Sequence, residues 1–389
     1  MTRHKRRKVI GIVKFCVLLT LPVAVAAAFK GASGLKSVLS QTNGFSAEKT
    51  PSAAVSAENN EETSVISRDF SDEPDDILSG SVILSEGYGF NEEVAEKGIK
   101  LVSPLEMVSS APGDKPYPSE SEWVAGGDII RNTYTPYSGN AFFDLEKCGQ
   151  VNNKTSIPNE KLMEESRYLP NFTISDTSEP QVLIYHTHTT ESFEPYVREN
   201  LDANFNYRTT DETKNVVMIG DAIQAELEAQ GIGVIHVRTI HDYPSYNGSY
   251  DRSRASIVPI LEQYPTIKVA LDIHRDAIAG ENYAYQPYVE IDGREAAQIM
   301  IISGCDDGTL GMPDYMKNFH FACNLQQKLE GDNPGLTRPI LFDYRHYNQD
   351  LTTGSLLIEV GSHGNTLDQV QYSGQLIGRS LGELLNSMK

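Results

Sequence analysis

The feature that most constrains the fold is an alternation of short apolar segments with amphipathic segments, which begins at about residue 178. The apolar segments have the length of buried strands, and strands that are apolar on both faces are typical of a parallel sheet. We therefore predict an α/β domain over 178–389, with a mostly parallel sheet covered by helices on both faces. The predicted strands are 181–185, 233–238, 267–273, 288–291, 297–303 and 355–360, and the predicted helices are 215–230, 252–263, 316–330 and 367–388.

Polar and ionisable side chains stand at the ends of three of these strands. Because the carboxyl ends of parallel strands meet at one edge of a sheet, side chains from distant segments can converge there. Imidazole and carboxylate groups are common zinc ligands, and three protein ligands leave one position of a catalytic zinc open for water. The sequence therefore predicts a zinc hydrolase site built from these residues: His186, His188, Glu191, Asp272, His274, Arg275, Asp276 and Glu359.

We assign the metal ligands as His188, Glu191 and His274. His188 and Glu191 form an H-x-x-E pair where a buried strand should end. His186 competes with His188, because residues two apart share a strand face. We prefer His188, which lies farther toward the exposed end, and His186 then becomes a neighbour of the ligands or a substrate contact.

Glu359 and Arg275 are the predicted catalytic groups beside the metal. Glu359 would take the proton of the attacking water as general base, and Arg275 would polarise the scissile carbonyl or stabilise the oxyanion. Glu359 lies within an apolar strand, so the alternative is a structural ion pair with Arg275 or Arg338. His274 could likewise belong to an ion-pair network with Arg275.

Residues 1–30 have the pattern of a membrane anchor. A basic cluster precedes an apolar stretch over 9–29, which is close to the roughly 20 residues that a spanning helix needs. The alternative is a cleaved signal peptide, since Ala24-Val-Ala26 resembles a cleavage site. Because basic flanks stay in the cytoplasm, we predict a single-pass protein of the cell membrane whose catalytic domain is extracytoplasmic.

Two further regions separate the anchor from the α/β domain. Residues 31–80 contain nine acidic and three basic residues and few large apolar ones, which predicts a disordered acidic tether. Residues 81–177 bring aromatic residues with Pro and Gly, and we interpret them as a small accessory region. The net charge of −20 argues against nucleic acid as a partner, because phosphates would be repelled.

The motifs at the strand ends resemble those of the stage II sporulation protein P family of endospore-forming bacteria. The matching segments are YHTHTTESF (185–193), LDIHRDA (271–277) and LIEVG (357–361), with the anchor and tether in outline. The resemblance implies an amidase-like fold, Zn²⁺ as cofactor, and peptidoglycan as substrate. It implies cleavage of the amide between N-acetylmuramic acid and L-alanine, with endopeptidase activity on cross-links. It also implies septal wall degradation and engulfment during sporulation, beside stage II sporulation proteins D and M.

The chain departs from the usual cell-wall amidases at the first motif. Those enzymes carry Asp-Pro-Gly-His-Gly-Gly after the first strand, where this chain has YHTHTT, and the final His aligns with His188. Their ligand glutamate lies farther downstream than Glu191. Two other functions stay open: a zinc carboxypeptidase acting on stem peptides, and a wall-binding module without activity. Since stem peptides carry carboxylates, an acidic hydrolase needs local positive charge, for which Arg275, Arg338 and Arg345 are candidates.

Overall fold

The computed structural model describes residues 115–175 and 179–389. The predicted anchor, the predicted tether and the first part of the predicted accessory region, 81–114, lie outside the described residues. Within the described ranges, no helix combines the length and the apolar character that crossing a membrane requires.

The described strands form one large and one small sheet. In chain order the strands are β1 (Ala125–Asn132), β2 (Phe142–Asp144), β3 (Gln150–Asn153), β4 (Pro180–Tyr185), β5 (Asn200–Asp202), β6 (Gly233–His236), β7 (Val269–Asp276), β8 (Tyr283–Ile291), β9 (Arg294–Ala297), β10 (Ile299–Cys305), β11 (Ile340–Tyr344) and β12 (Gly354–Ser362). The helices are α1 (Asn159–Glu165), α2 (Val217–Ala229), α3 (Ser249–Gln263), α4 (Tyr315–Asp332) and α5 (Leu367–Asn386), with a short 3₁₀ helix at Glu120–Glu122.

The large sheet has the strand order β2-β3-β11-β10-β12-β7-β4-β6. Its β12, β7, β4 and β6 strands run parallel to one another. β10 is antiparallel to β12, and β11 and β3 follow the direction of β10. The α/β class and the parallel centre are confirmed, but the sheet as a whole is mixed, because β10 turns back beside β12 instead of crossing over in the same direction.

The small sheet has the order β5-β1-β8-β9. β1 pairs with β8 in parallel and with β5 in antiparallel orientation, and β8 and β9 form a hairpin. Part of the predicted accessory region is thus built into both sheets, since β1 belongs to the small sheet and β2 and β3 extend the large one. The strand predicted over 288–291 is the second half of β8.

Helices cover both faces of the large sheet, as predicted. On one face Ile184, Leu271 and Ile358 pack into an apolar core with side chains of α2, α4 and α5. On the other face Leu183 and Tyr185 pack against α3. Full burial of one such aliphatic side chain stabilises the fold by about 1.5–3 kcal/mol. On the face of the sheet that α3 covers, the side chains change from apolar to ionisable near the carboxyl ends of β7 and β12. This change marks the candidate site.

Candidate active site

The register of β7 and β12 places two ionisable residues side by side. His274 of β7 pairs directly with Glu359 of β12 in the parallel ladder, so both side chains lie on the same face of the sheet. Asp272 and Asp276 share that face by the two-residue period of the strand. The site therefore begins as a short ionisable stripe at the end of an otherwise apolar sheet.

The ring of His274 is held between two carboxylates. Its Nε2 lies 2.9 Å from Asp272 Oδ1, and its Nδ1 lies 3.5 Å from Glu191 Oε2. Asp272 is itself fixed by Thr187, whose backbone N and Oγ1 donate to its two oxygens at 2.8 and 2.6 Å. Burial alone would lower the pKa of His274, but Asp272 and Glu191 raise it to about 9. The ring thus lies within ion-pair distance of both carboxylates, with Nε2 on the Asp272 side and Nδ1 on the Glu191 side.

His188 lies beside His274, just beyond the end of β4. The two ring centroids are 5.2 Å apart, and the His188 ring stacks on Tyr246 at 4.4 Å. His188 Nε2 lies 3.1 Å from the Tyr246 hydroxyl, whereas its buried Nδ1 has no hydrogen-bond partner among the described residues. Burial, with a smaller contribution from His274, holds the pKa of His188 well below its usual range. In the neutral tautomer whose Nε2–H donates to the Tyr246 hydroxyl, the Nδ1 lone pair is available.

Glu191 joins the two histidines through a turn, in which its backbone N donates to the carbonyl of His188 at 3.1 Å. Its carboxylate is buried, accepts a hydrogen bond from the backbone N of Arg275 at 3.1 Å, and lies 3.7 Å from an Arg208 nitrogen. The structure thus brings together the residues predicted as ligands.

Glu359 is the poorly solvated carboxyl of the site. Its Oε2 is buried and, within 115–175 and 179–389, accepts no hydrogen bond. Burial and the nearby Asp276 raise the pKa of Glu359 to about 8, although His274 acts in the opposite direction. In the described part of the chain no ion pair joins Glu359 to an arginine; Arg338 pairs with Asp276 instead, at 2.7 Å. The structural ion pair considered as the alternative is thus absent among the described residues, and the general-base role stays a prediction.

Arg275 points away from the site. It follows His274 on β7, so it projects from the opposite face of the strand. Its guanidinium donates to the backbone carbonyls of Ser192, Tyr207 and Asp276 at 2.9, 3.0 and 3.3 Å. These bonds tie the loop after β4 to β7, and they direct the bonded donors at the protein backbone. The structure therefore does not aim the Arg275 guanidinium at the ligand group, and its predicted catalytic role stays a prediction.

His186 is also separate from the ligand group. It is fully buried, with Nδ1 2.9 Å from the carbonyl of Ile273 and Nε2 2.8 Å from Nε2 of His236. β4 ends at Tyr185, so the strand alternation that would place His186 and His188 on one face does not extend across them. A fully buried ring with both nitrogens engaged is not placed to contact a substrate.

A family match covers most of the described part of the chain. The sequence model of the family described as Stage II sporulation protein P (SpoIIP) matches residues 132–382. The chain belongs to the stage II sporulation protein P family. The resemblance seen in the strand-end motifs is thereby confirmed. The match includes every candidate site residue, and it starts within β1, well before residue 178.

A curated member of the family provides a sequence relative. The chain is 29% identical over 270 residues to Stage II sporulation protein P of Bacillus subtilis (strain 168), and the alignment covers 60% of this chain and 64% of that protein. The chain therefore spans less than two thirds of the length of this relative.

Solved amidase structures also align with this family member. The N-acetylmuramoyl-L-alanine amidase AmiC2 of Nostoc punctiforme gives a TM-score of 0.32 at 12% identity, covering 55% of this chain and 98% of that one. The CwlD amidase from Clostridioides difficile, in complex with the GerS lipoprotein, gives 0.34 at 12% identity, covering 53% and 99%. An amidase from Clostridium difficile 630 gives 0.32 at 17% identity, covering 55% and 100%.

Sequence reasoning did not assign the aromatic side of the site. Tyr250 of α3 lies against His188, with centroids 5.6 Å apart, and stacks on Tyr347 at 5.2 Å. Tyr246 comes from the loop before α3. The tyrosine-rich segment 243–250, which runs from the loop into α3, was the available signal. As they stand, no three His, Cys, Asp or Glu side chains in the described ranges are arranged to hold a metal ion.

Proposed function

We propose that this chain is a zinc-dependent peptidoglycan hydrolase that cleaves the amide between N-acetylmuramic acid and L-alanine. The observation that carries the proposal is the meeting of His188, Glu191, His274 and Glu359 at one sheet edge. Within the described residues, His188 Nδ1 and Glu359 Oε2 are both buried there without a hydrogen-bond partner. A buried unsatisfied polar group costs about 1–3 kcal/mol, so a site that keeps such atoms is suited to a ligand.

The donor set supports zinc as the cofactor. Two ligands of a tetrahedral zinc with bonds of about 2.0–2.1 Å lie roughly 3.3–3.4 Å apart, and His274 Nδ1 and Glu191 Oε2 are 3.5 Å apart. The unpartnered His188 Nδ1 would be the third ligand. Asp272, at Nε2 of His274, is the type of supporting carboxylate that fixes the orientation of a ligating histidine.

The residues then divide the chemistry between them. Zinc, when bound, lowers the pKa of its water and polarises the scissile carbonyl. Glu359 accepts the proton of the attacking water and returns it to the leaving amine. Its poor solvation, which raises its pKa, makes the carboxylate a stronger base than one in water. Arg275 holds the loop that carries His188 and Glu191, through its bond to Ser192.

We further propose the cellular setting implied by the family and the N-terminal sequence. Residues 9–29 would anchor the chain in the cell membrane, and 31–80 would tether the hydrolase on the extracytoplasmic side. There it would act in septal wall degradation and engulfment during sporulation, with stage II sporulation proteins D and M as partners. Residual protein in carbonate-washed membranes would support the anchor, and a mature N-terminus near Ala27 would show cleavage instead.

The test is digestion of purified peptidoglycan, read by mass spectrometry. The amidase should release glycan with free lactyl groups and stem peptides with free N-terminal L-alanine. A carboxypeptidase would shorten the stem from its C-terminus, and a wall-binding module would bind sacculi and leave both products absent. Metal analysis of the same preparation should give about one zinc per chain. Intact sacculi after incubation with zinc-loaded protein would rule the amidase out.

A further inference from the structure

Arg338 lies where the start of β11 approaches the end of β7. Its backbone N donates to Ile299 at 2.7 Å, and its carbonyl accepts a bond from the side chain of Gln326 at 2.9 Å. Because β10 and β11 run opposite to β12, their first residues stand at the edge where β7 and β12 end. The reversal of these strands thus brings a cation to the edge that holds His274 and Glu359.

Only one of the three guanidinium nitrogens of Arg338 has a hydrogen-bond partner among the described residues. Nη1 donates to Asp276 Oδ2 at 2.7 Å, and the side chain is 7% exposed. Nε and Nη2 are buried and, among the described residues, have no hydrogen-bond partner. These two nitrogens form one edge of the planar group, and such an edge makes the paired N–H bonds with which arginine binds a carboxylate. Charged donors left buried and unpaired are costly, so a bound anion suits this edge.

The surroundings fix the position of Arg338. Asp276 is held by the backbone N of Ala277, which donates to its Oδ1 at 2.8 Å, so the carboxylate anchors Nη1 in one place. The ring centroid of Tyr134 lies 5.8 Å from the guanidinium carbon.

The other arginines considered from the sequence do not offer this edge. Arg275 directs its guanidinium at backbone carbonyls on the opposite face of β7. Arg345 follows the end of β11, at the edge of the sheet opposite to Arg338, and faces Asp343 with Nε at 3.2 Å. Arg338 is therefore the candidate that lies at the site.

We infer that Arg338 binds a free carboxylate of the peptidoglycan stem peptide and so selects stems in which that carboxylate is unmodified. The inference rests on the proposed function for the identity of the substrate. Amidation would replace one acceptor oxygen by an NH₂ donor, which would face two N–H donors in a buried site. A site whose buried polar groups hydrogen-bond to the ligand strongly rejects a ligand that leaves those groups unpaired. This discrimination is larger than that of an apolar pocket against a ligand of different shape.

The experiment measures binding of two probes to the full-length chain. One is the free stem tripeptide with its carboxylates intact, which is a reaction product and is not consumed. The other is the same tripeptide with its carboxylates converted to carboxamides. The proteins are the wild type, Arg338→Gln, Arg338→Lys and the control Arg379→Gln. Arg379 is half exposed on α5 and pairs with Glu226 of α2 at 3.0 Å. Thermal melting checks that each variant folds.

The wild type should bind the carboxylate peptide about 10–100-fold more tightly than the carboxamide, the usual effect of a charge-assisted pair. Arg338→Gln should bind both peptides equally weakly, and Arg338→Lys should keep part of the preference, because it retains the charge without the paired donors. Arg379→Gln should match the wild type. If Arg338→Gln does not fold, Arg338→Lys decides: a preference for the carboxylate peptide as large as in the wild type would overturn the inference.

Equal affinities of the wild type for the two peptides would overturn the inference. An Arg338→Gln variant that loses affinity for both peptides by the same factor, and so keeps the wild-type preference for the carboxylate, would also overturn it. That result would assign Arg338 to holding Asp276 and the strand ends. Digestion of sacculi by the same wild-type preparation tests the proposed function separately. A chain that prefers the carboxylate peptide but releases no lactyl-terminated glycan would lose the amidase proposal and keep the carboxylate site.

Discussion

Two pairs of buried histidines flank the end of β4, and they differ in how their nitrogens are used. His186 and His236 lie with ring centroids 5.0 Å apart, and His188 and His274 lie 5.2 Å apart. In the first pair every nitrogen has a partner: the Ile273 carbonyl, the other ring and Asp221. In the second pair, within the described residues, His188 Nδ1 and His274 Nε2 make no hydrogen bond, although the latter lies 2.9 Å from Asp272. Burial therefore does not distinguish a structural histidine from an available ligand, whereas the hydrogen-bond inventory does.

The two pairs also differ in the charges around their rings. Burial lowers the pKa of His236 to about 4 and that of His186 well below its usual range. Burial acts on His274 too, but Asp272 and Glu191 raise the pKa of that ring to about 9. His188 shares the lowered pKa of the first pair, so the difference lies in His274, which stands between two carboxylates.

The largest effect should come from removing a proposed ligand of the second pair. His274→Ala should contain no zinc and have no detectable activity, because a ligand is lost. The matched change in the first pair, His186→Ala, should lower stability but retain about one zinc per folded molecule. Metal content by mass spectrometry, normalised to the folded fraction, measures both. Full zinc in His274→Ala, or none in His186→Ala, would reverse the roles of the two pairs.

Glu359→Gln separates catalysis from metal binding at the second pair. The variant keeps the shape of the side chain but cannot accept the water proton, so turnover should fall by roughly 10²–10⁴. Zinc content and melting temperature should stay near wild type. Turnover on soluble wall fragments and metal analysis measure the effect. An unstable variant that is fully active per folded molecule would contradict the general-base role and restore the structural one.

Asp272→Asn should have a smaller effect, because the residue acts through His274. Loss of a carboxylate that orients a ligating histidine typically costs 10–100-fold in metal affinity or activity, and we expect a zinc affinity lowered by that factor. Competition with a chelator measures the affinity. Asp221→Asn is the matched control on His236 of the first pair, and it should leave zinc affinity unchanged. Equal affinities of Asp272→Asn and the wild type would show that Asp272 serves the fold alone.

The smallest functional effect should come from crowding the first pair. A Cβ at Gly220 would overlap the His236 ring and lie 3.0 Å from His186 Nε2. Gly220→Ala should therefore destabilise the fold by about 1–3 kcal/mol, with unchanged zinc content and turnover. Gly331→Ala is the control, since its Cβ would meet Cys148 Sγ at an ordinary 3.6 Å. Urea unfolding measures both, and a loss of zinc in folded Gly220→Ala would show that the pairs are coupled.

The periodic part of the fold could be predicted from the sequence. Continuous apolar segments such as 181–185 and 267–273 correspond to β4 and β7, and the apolar spacing over 215–230 corresponds to α2. The direction of β10 could not be predicted, because a buried strand has the same apolar pattern in either orientation. β9 (Arg294–Ala297) was missed because its composition does not favour a strand, and it forms through the β8 hairpin.

The convergence of the site was predictable, and the direction of some side chains was not. His188, Glu191, His274 and Glu359 meet because the ends of parallel strands share an edge. The position of His186 depends on the turn after Tyr185, which strand alternation does not describe. The orientation of Arg275 could have been predicted from the sequence. Its neighbour His274 lies on the site face of β7, and successive residues of a strand point to opposite faces. The pairing of Arg338 with Asp276 needed the reversed β11.

The order of strands in the large sheet has a consequence for biosynthesis. The central strand β7 pairs with β4, which is synthesised earlier, and with β12, which is synthesised later. Likewise, β3 cannot pair with β11 until β11 has been synthesised. Contacts so distant in sequence form slowly, and a chain emerges amino end first. The residues proposed as ligands are therefore synthesised before Glu359 can join them. A chain that ends before β12 would carry the proposed ligand residues without Glu359, the proposed base.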